Sequence, residues 1–440
     1  MEFGKHIGKG VWAFADKSLP AFYGIAYIFL VVRVLPEQEF GAWGIIWSVF
    51  LLFSTFCFTL AFQPLTKFAA EHEHYGRFVS ASLFVGFFFY LIISGALLAF
   101  KGPLIALLDP KKTPMLADLW NFIPLLLFGS LMRTMTLGLL QARYAVQKIF
   151  WIDSVYFLGT VAMILVAKQL HHFSTANDLV VLNLIGSCAS SLLALILIYP
   201  SLPKSLTFRS ADVKELLQFG KYLFGSNAIY TIFAQLDVFF VSSYVGIAGV
   251  AIYNVAKIFN RLFDMLGQVL QLFLLPFSAK TYAQGDHEKL LTTAEKAICF
   301  STLIMLPVFL AMLLVPHEML QILYKGRYQE AAPLIRVFSL LALITPWNGV
   351  ISTYFVGYGK AKDGFYLGFI LLALATASYK ILTPLYGILG ASIGYVTTLF
   401  LITVVIWYYL RKELPLTLFN VILRTKDALE FVKKKAIGKS

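Results

Sequence analysis

The stretch PLTKFAAEHEHYGR, Pro64 to Arg77, follows one long apolar segment, and PFSAKTYAQGDHEK, Pro276 to Lys289, follows another. Laid over one another they need no gap: Pro64 falls on Pro276, Thr66 on Ser278 and Arg77 on Lys289. Upstream, Gly41-Ala42-Trp43 falls on Ala251-Ile252-Tyr253 at a slightly shorter offset. A near-repeat set between apolar segments marks a duplicated membrane half. Carriers built this way hold their cargo between the halves. The chain therefore reads as a two-lobed carrier rather than an enzyme.

Composition agrees. Of 440 residues, 59% are hydrophobic and 13% charged, about half the charge of a soluble domain. One membrane crossing takes about 20 apolar residues. About twelve such segments are expected by that length rule. The first six cover 11–32, 41–63, 79–100, 119–140, 150–168 and 179–199, and the second six 222–244, 250–275, 297–316, 337–357, 364–382 and 386–409. All are expected to be helices, because an open sheet would leave backbone groups unpaired in lipid. The expected division is a first six-helix lobe over 1–200, a cytoplasmic linker over 201–221, a second lobe over 222–410 and a basic tail over 411–440. The first apolar segment is too long for a cleavable signal and carries Asp16 and Lys17. No loop is long enough for an external catalytic domain, which excludes glycan polymerases and large glycosyltransferases. No Walker-type phosphate loop occurs, so direct ATP use is not expected. Cys57, Cys188 and Cys299 all fall in apolar spans and read as small hydrophobic filler. Glu71-His72-Glu73-His74 has metal-binding residue types but reads as a solvated loop.

With both termini placed in the cytoplasm, most of the 36 Lys and Arg fall in cytoplasmic segments, as the positive-inside rule requires. The net charge of +13 is thus accounted for without nucleic acid. After Pro415, residues 416–431 read as an amphipathic helix carrying Leu418, Val421, Ile422 and Leu429, followed by Lys433-Lys434-Lys435. Such a segment is expected to lie on the anionic inner leaflet. Pro20, Pro124, Pro307 and Pro346 fall inside spans, where each removes a backbone donor and can bend its helix.

Ionisable residues inside the membrane are the specific signal. Each costs at least about 2.5–3.5 kcal/mol at mid-bilayer, so it faces a cavity or a partner. The cases are Asp16, Lys17, Arg133, Asp153, Asp237, Lys257, Arg261 and Asp264. On one continuous eighth helix, Lys257, Arg261 and Asp264 would share a face, roughly 10, 16 and 21 Å from the outer surface. Lys257, Arg261, Lys17 and Arg133 are the candidate substrate-binding residues, the first two suited to a phosphate or diphosphate. Asp237, Asp264 and Asp16 are candidates for charge balance or for a coupling H+ or Na+. A salt-bridge network that only fixes helix packing is the competing reading. No catalytic residue and no metal ligand is expected.

Several stretches resemble one family. They are Arg33 to Gly41 (RVLPEQEFG), LDVFFVSSYVGIAGVAIYNVAKI from Leu236, LPFSAKTYAQGDHEKL from Leu275 and ILYKGRYQEAAPLIRVFSL from Ile322. They are similar to the polysaccharide-unit (Wzx-type) flippases of the multidrug/oligosaccharidyl-lipid/polysaccharide exporter superfamily. The resemblance implies an all-α membrane fold of two six-helix bundles around a central V-shaped cavity. It implies transfer of undecaprenyl-diphosphate-linked oligosaccharide units for O-antigen, capsule or exopolysaccharide from the inner to the outer leaflet. It further implies a monomer without cofactor in a bacterial or archaeal cytoplasmic membrane, working beside a polysaccharide polymerase. The alternative is a cation-coupled multidrug or metabolite antiporter of the same superfamily. A lipid II flippase would usually add two further helices.

Overall fold

The computed structural model describes residues 3–71, 75–110, 113–199, 207–427 and 430. The described residues are helical nearly throughout and contain no strand, the economy that lipid imposes on backbone polar groups. Among them, nine helices are long and apolar enough to cross a membrane, or up to eleven if each of two bent pairs is one span. Packing divides the chain into two units, Met1–Ala251 and Ile252–Ser440.

In the first unit, α1 (Phe3–Tyr27) ends in a π-helical turn, Ile28–Val32. Helix α2 (Glu37–Cys57) passes through a second π-helical turn, Phe58–Phe62, into α3 (Gln63–Glu71). The second span thus continues past 63 into the Pro64 motif. A π turn widens the helical ladder and bares carbonyls. Here two glycines close on it: Gly138 faces the Phe62 carbonyl and Gly220 the Leu60 carbonyl, each too near for a Cβ. Helices α4 (Gly76–Ala99), α5 (Lys101–Leu108), α6 (Pro114–Trp120), α7 (Phe122–Ala142), α8 (Val146–Gln169) and α9 (Ala176–Ile198) follow. The capping box of Thr175 with Asp178 fixes the start of α9. Helix α10 (Ser210–Tyr244) begins inside the stretch read as linker and bends by 44° between Gly225 and Asn227. It packs on α2, α4 and the second π turn, so its residues belong by contact to the first unit.

The boundary between the units falls within α11 (Ile247–Lys257). Helix α12 (Asn260–Ala283) follows, so the expected eighth span is two helices rather than one. At the break, Phe259 donates to Ala256, Arg261 to Ile258 and Leu262 to Phe259, each three residues back. This tighter pitch interrupts the face on which Lys257 and Arg261 were expected to align. No Pro or Gly marks the break. The Val255 carbonyl, whose α-helical donor would be Phe259, instead faces the Tyr324 hydroxyl at 3.4 Å. Helices α13 (His287–Leu314), α14 (Pro316–Tyr324) and α15 (Ala332–Ser339) lead to α16 (Leu341–Gly357), which is bent by 42° from the segment before it.

Helix α17 (Ala361–Leu410) is a hairpin whose arms meet at Gly387, with φ +59° and ψ −137°. Four pairs show the antiparallel register. Lys360 bonds Glu413 at 2.5 Å and the Tyr409 hydroxyl bonds Asp363 at 2.7 Å. Gly394 packs on Tyr379 and Gly390 on the Leu382 carbonyl. Pro384 and Gly387 supply the turn chemistry that the expected boundary between 382 and 386 needs. Helix α18 (Leu418–Leu423) opens the stretch expected to be helical over 416–431, and after a turn at Arg424 the backbone is helical again over 425–427 and at 430. Leu429 and Lys433-Lys434-Lys435 lie outside the described residues, as do His72, Glu73 and His74.

Candidate functional sites of the two units

In the first unit, three helices bring together four of the charges singled out by sequence. Asp16 and Lys17 come from α1, Arg133 from α7 and Asp153 from α8. The Arg133 guanidinium donates through Nε and Nη2 to Asp153 Oδ1, at 3.1 and 2.6 Å. Its face lies over the Tyr156 ring, 4.4 Å from the centroid, with Phe157 at 5.7 Å. The Ser191 hydroxyl accepts from the Arg133 backbone N–H and donates to the Gly129 carbonyl, locking α9 to α7. Asp16 is buried and sits 3.6 Å from the Lys17 ammonium, whose side chain is 74% exposed. The Asp16 carboxyl lies near enough to that of Asp153 for their negative charges to repel, and Asp16 Oδ1 is buried without a hydrogen-bond partner. The set is formally neutral: two acids against two bases.

Beside it, Tyr23 on α1 donates to Asn183 on α9 at 3.1 Å, and its ring packs on Phe157 and Tyr27. Tyr23, Tyr156, Asn183 and Ser191 were not singled out by sequence. Asn183 alone left a signal there, as an amide in an apolar run. Asp237, on α10, is fully buried and accepts from the Val238 N–H at 2.8 Å. It is not part of this quartet.

In the second unit the helix break is the centre. Lys257 is the last residue of α11 and Arg261 the second of α12. The Lys257 ammonium stands 5.6 Å from the Tyr395 ring and 6.0 Å from that of Tyr253, within cation–π range. Asp264, one turn into α12, feels the positive charge of both Lys257 and Arg261. The field of Arg261 also reaches Tyr324. Between the two bases, Asn260 is buried with neither amide atom hydrogen-bonded. The N–H groups of Arg261 and Leu262, at the start of α12, are bonded back to the Ile258 and Phe259 carbonyls, so the polar groups the break can offer are side chains. Two bases, one acid and an unpartnered amide make a net cationic cluster, a charge balance that suits an oxyanion. Asn260, Tyr324 and Tyr395 join the expected residues here.

The family model described as "Polysaccharide biosynthesis protein" matches residues 30–333. The chain belongs to the polysaccharide biosynthesis protein family. The matched region takes in the break, Arg133 and Asp153 of the quartet, and the repeated Pro64 and Pro276 motifs, while Asp16 and Lys17 precede it. Among solved structures, the chain is similar to an inward-facing multidrug-resistance MATE transporter of the MOP superfamily. The TM-score is 0.75 at 16% identity, covering 91% of this chain and 98% of that one. It is similar to the lipid II flippase MurJ in an inward closed conformation, with TM-score 0.68 and 12% identity over 92% and 87%. A MOP-superfamily transporter from Pyrococcus furiosus matches with TM-score 0.61 and 16% identity over 92% and 94%. At these identities the likeness is one of fold, and the expected all-α membrane fold of that superfamily holds.

Two curated relatives come from Methanocaldococcus jannaschii. The uncharacterized membrane protein MJ1068 is 25% identical over 51% of this chain and 44% of its own length. The uncharacterized membrane protein MJ1375 is 23% identical over 59% and 63%. The chain therefore spans less than two thirds of either relative. Membership of a multi-pass membrane family with a transporter fold stands on these findings.

Proposed function

We propose that the chain is a flippase. It carries an undecaprenyl-diphosphate-linked oligosaccharide unit from the inner to the outer leaflet of a bacterial or archaeal cytoplasmic membrane by alternating access. The observation that carries this reading is the pair Lys257 and Arg261 at the α11–α12 break, in a polysaccharide biosynthesis family. Arg can hold two phosphate oxygens in a fork while Lys acts as a point charge. A diphosphate bears about two negative charges, and an inside-negative potential drives them outward with a gain of about 2.3 kcal/mol per charge per 100 mV. The prenyl chain stays in the bilayer while sugar and diphosphate cross.

Asp16 with Asp153 is the proposed seat of the coupling H+ or Na+, which resets the empty carrier, and Lys17 and Arg133 balance it. Asp264 balances the cationic site, and Asp237 is held in reserve on α10. Counting both arms of α17 gives the proposed twelve crossings, which return the C-terminus to the cytoplasmic side of the N-terminus. The working unit is a monomer without cofactor, beside a polysaccharide polymerase. The antiporter reading is not favoured, since two bases at one break repel a cationic drug.

The test is surface polysaccharide in a flippase-deficient host that expresses the parent chain or its Lys257→Ala/Arg261→Ala variant, with membrane levels matched. Loss of export at normal protein level is expected. Full export by the double variant would make these charges structural and overturn the reading.

A further inference from the structure

The chain beyond the second arm of α17 folds back onto its own unit. Leu414 and Leu416 are buried, and the Trp407 indole N–H donates to the Leu416 carbonyl at 3.0 Å. Thr417 caps α18 by accepting from the Asn420 N–H. Within α18, Val421 is buried against the unit. The acids of the segment turn inward to bases of the helices: Glu413 to Lys360 at 2.5 Å and Asp427 to Lys296 at 3.1 Å. Arg424 does the converse, reaching Glu295, which is buried on α13.

What remains on the outside is apolar and cationic. Leu418, Phe419, Ile422 and Leu423 are exposed, as are Arg411, Lys412 and Lys426. Four large apolar side chains on six residues would not face water without a partner. The surface runs on from the exposed Phe400, Tyr408 and Tyr409 of the preceding arm, which face lipid if that arm crosses the membrane. Apolar side chains bordered by bases, next to the end of a span, fit the acyl–headgroup boundary of an anionic leaflet.

We propose that Arg411–Asp427 is a membrane strap. Leu418, Phe419 and Ile422 insert at the inner-leaflet boundary. Arg411, Lys412 and Lys426 bind the phosphates of anionic phospholipid. The Arg424–Glu295 pair ties the strap to the cytoplasmic half of α13, so lipid contact bears on a helix of the transporter itself. This inference stands apart from the substrate reading, because its tests measure no transport.

The full chain, with Cys57, Cys188 and Cys299 replaced by Ser and Phe419→Cys introduced, is labelled with an environment-sensitive dye. It is then placed in bilayers of phosphatidylcholine alone or with phosphatidylglycerol. Blue-shifted emission is expected, with quenching by headgroup-proximal spin-labelled lipid that strengthens when phosphatidylglycerol is present. Water-like emission in both bilayers overturns the proposal. So does a dye sheltered from iodide yet untouched by spin-labelled lipid, the sign of a protein partner. A second measurement keeps the native cysteines: phosphatidylglycerol retained on purification. Each base near an anionic surface is worth about fivefold in binding. Arg411→Gln/Lys412→Gln/Lys426→Gln should therefore strip most of the bound phosphatidylglycerol and spare phosphatidylcholine. Unchanged retention overturns the headgroup assignment.

Discussion

Arg424 donates from Nε and Nη2 to a single carboxylate oxygen of Glu295, at 2.9 and 2.7 Å, across 129 residues of sequence. The other oxygen, Oε1, is buried and has no hydrogen-bond partner. Removing Arg424 would leave the carboxylate uncompensated in an apolar wall. Breaking a buried ion pair costs about 3–5 kcal/mol, whereas replacing both partners by apolar residues is often neutral. Arg424 keeps 31% of its side-chain surface, which places the single substitution at the low end. Arg424→Met is expected to lower thermal stability in detergent by about 3 kcal/mol, and Glu295→Leu/Arg424→Met to restore most of it. Equal melting of the single variant and the parent would show that the pair contributes nothing.

The hairpin of α17 sets a second expectation. Gly387 holds a backbone conformation that costs a residue with a Cβ about 1–3 kcal/mol, and a Cβ at Gly390 would collide with the Leu382 carbonyl. Gly387→Ala and Gly390→Ala should each lower the melting temperature. Gly267, on α12, has open space where a Cβ would go. Gly267→Ala should be neutral or slightly stabilising, by up to about 1 kcal/mol. The three variants compared in one thermal series test the hairpin directly.

Most of the fold was legible because lipid filters residues one at a time. The all-helical character and the run of apolar spans follow from local composition. What was not legible depends on partners far apart in sequence or on backbone pitch. Asp153 lies 20 residues from Arg133, on another helix, so their pairing could not be read from spacing. The break at Ile258 and Phe259 carries no Pro or Gly, so Lys257 and Arg261 looked like neighbours on one continuous face. The length of α10 was hidden because Ser210 to Lys221 is polar enough to pass for a linker, although it packs at the second π turn. Glu295 was not singled out by sequence, since nothing local announces Arg424.

The quartet on α1, α7 and α8 can be dissected by a double-mutant cycle. Arg133→Lys keeps the charge but loses the two-donor contact with Asp153 and weakens the stack on Tyr156, so it is not a conservative change. A loss of about 1–2 kcal/mol is expected, roughly one charge-assisted hydrogen bond. With Asp153 already changed to Asn, the same Arg133→Lys substitution should cost markedly less, since the ion pair is gone. Additive losses would mean that Arg133 is held by Tyr156 and Phe157 alone.

Asn260 offers the sharpest separation of stability from function. A buried amide with no partner costs about 1–3 kcal/mol relative to a satisfied or apolar group. Both of its polar atoms are in that condition. Leu has nearly the same shape, so Asn260→Leu should raise the melting temperature, a gain of about 1–2 kcal/mol. If the amide serves the anionic cargo, the same variant should export less polysaccharide at equal membrane level, since a ligand contact has been exchanged for stability. A more stable protein with undiminished export would place Asn260 outside the cargo site. Lower stability would show that the amide does meet a polar partner in the native protein, and that the break at Ile258 and Phe259 depends on it.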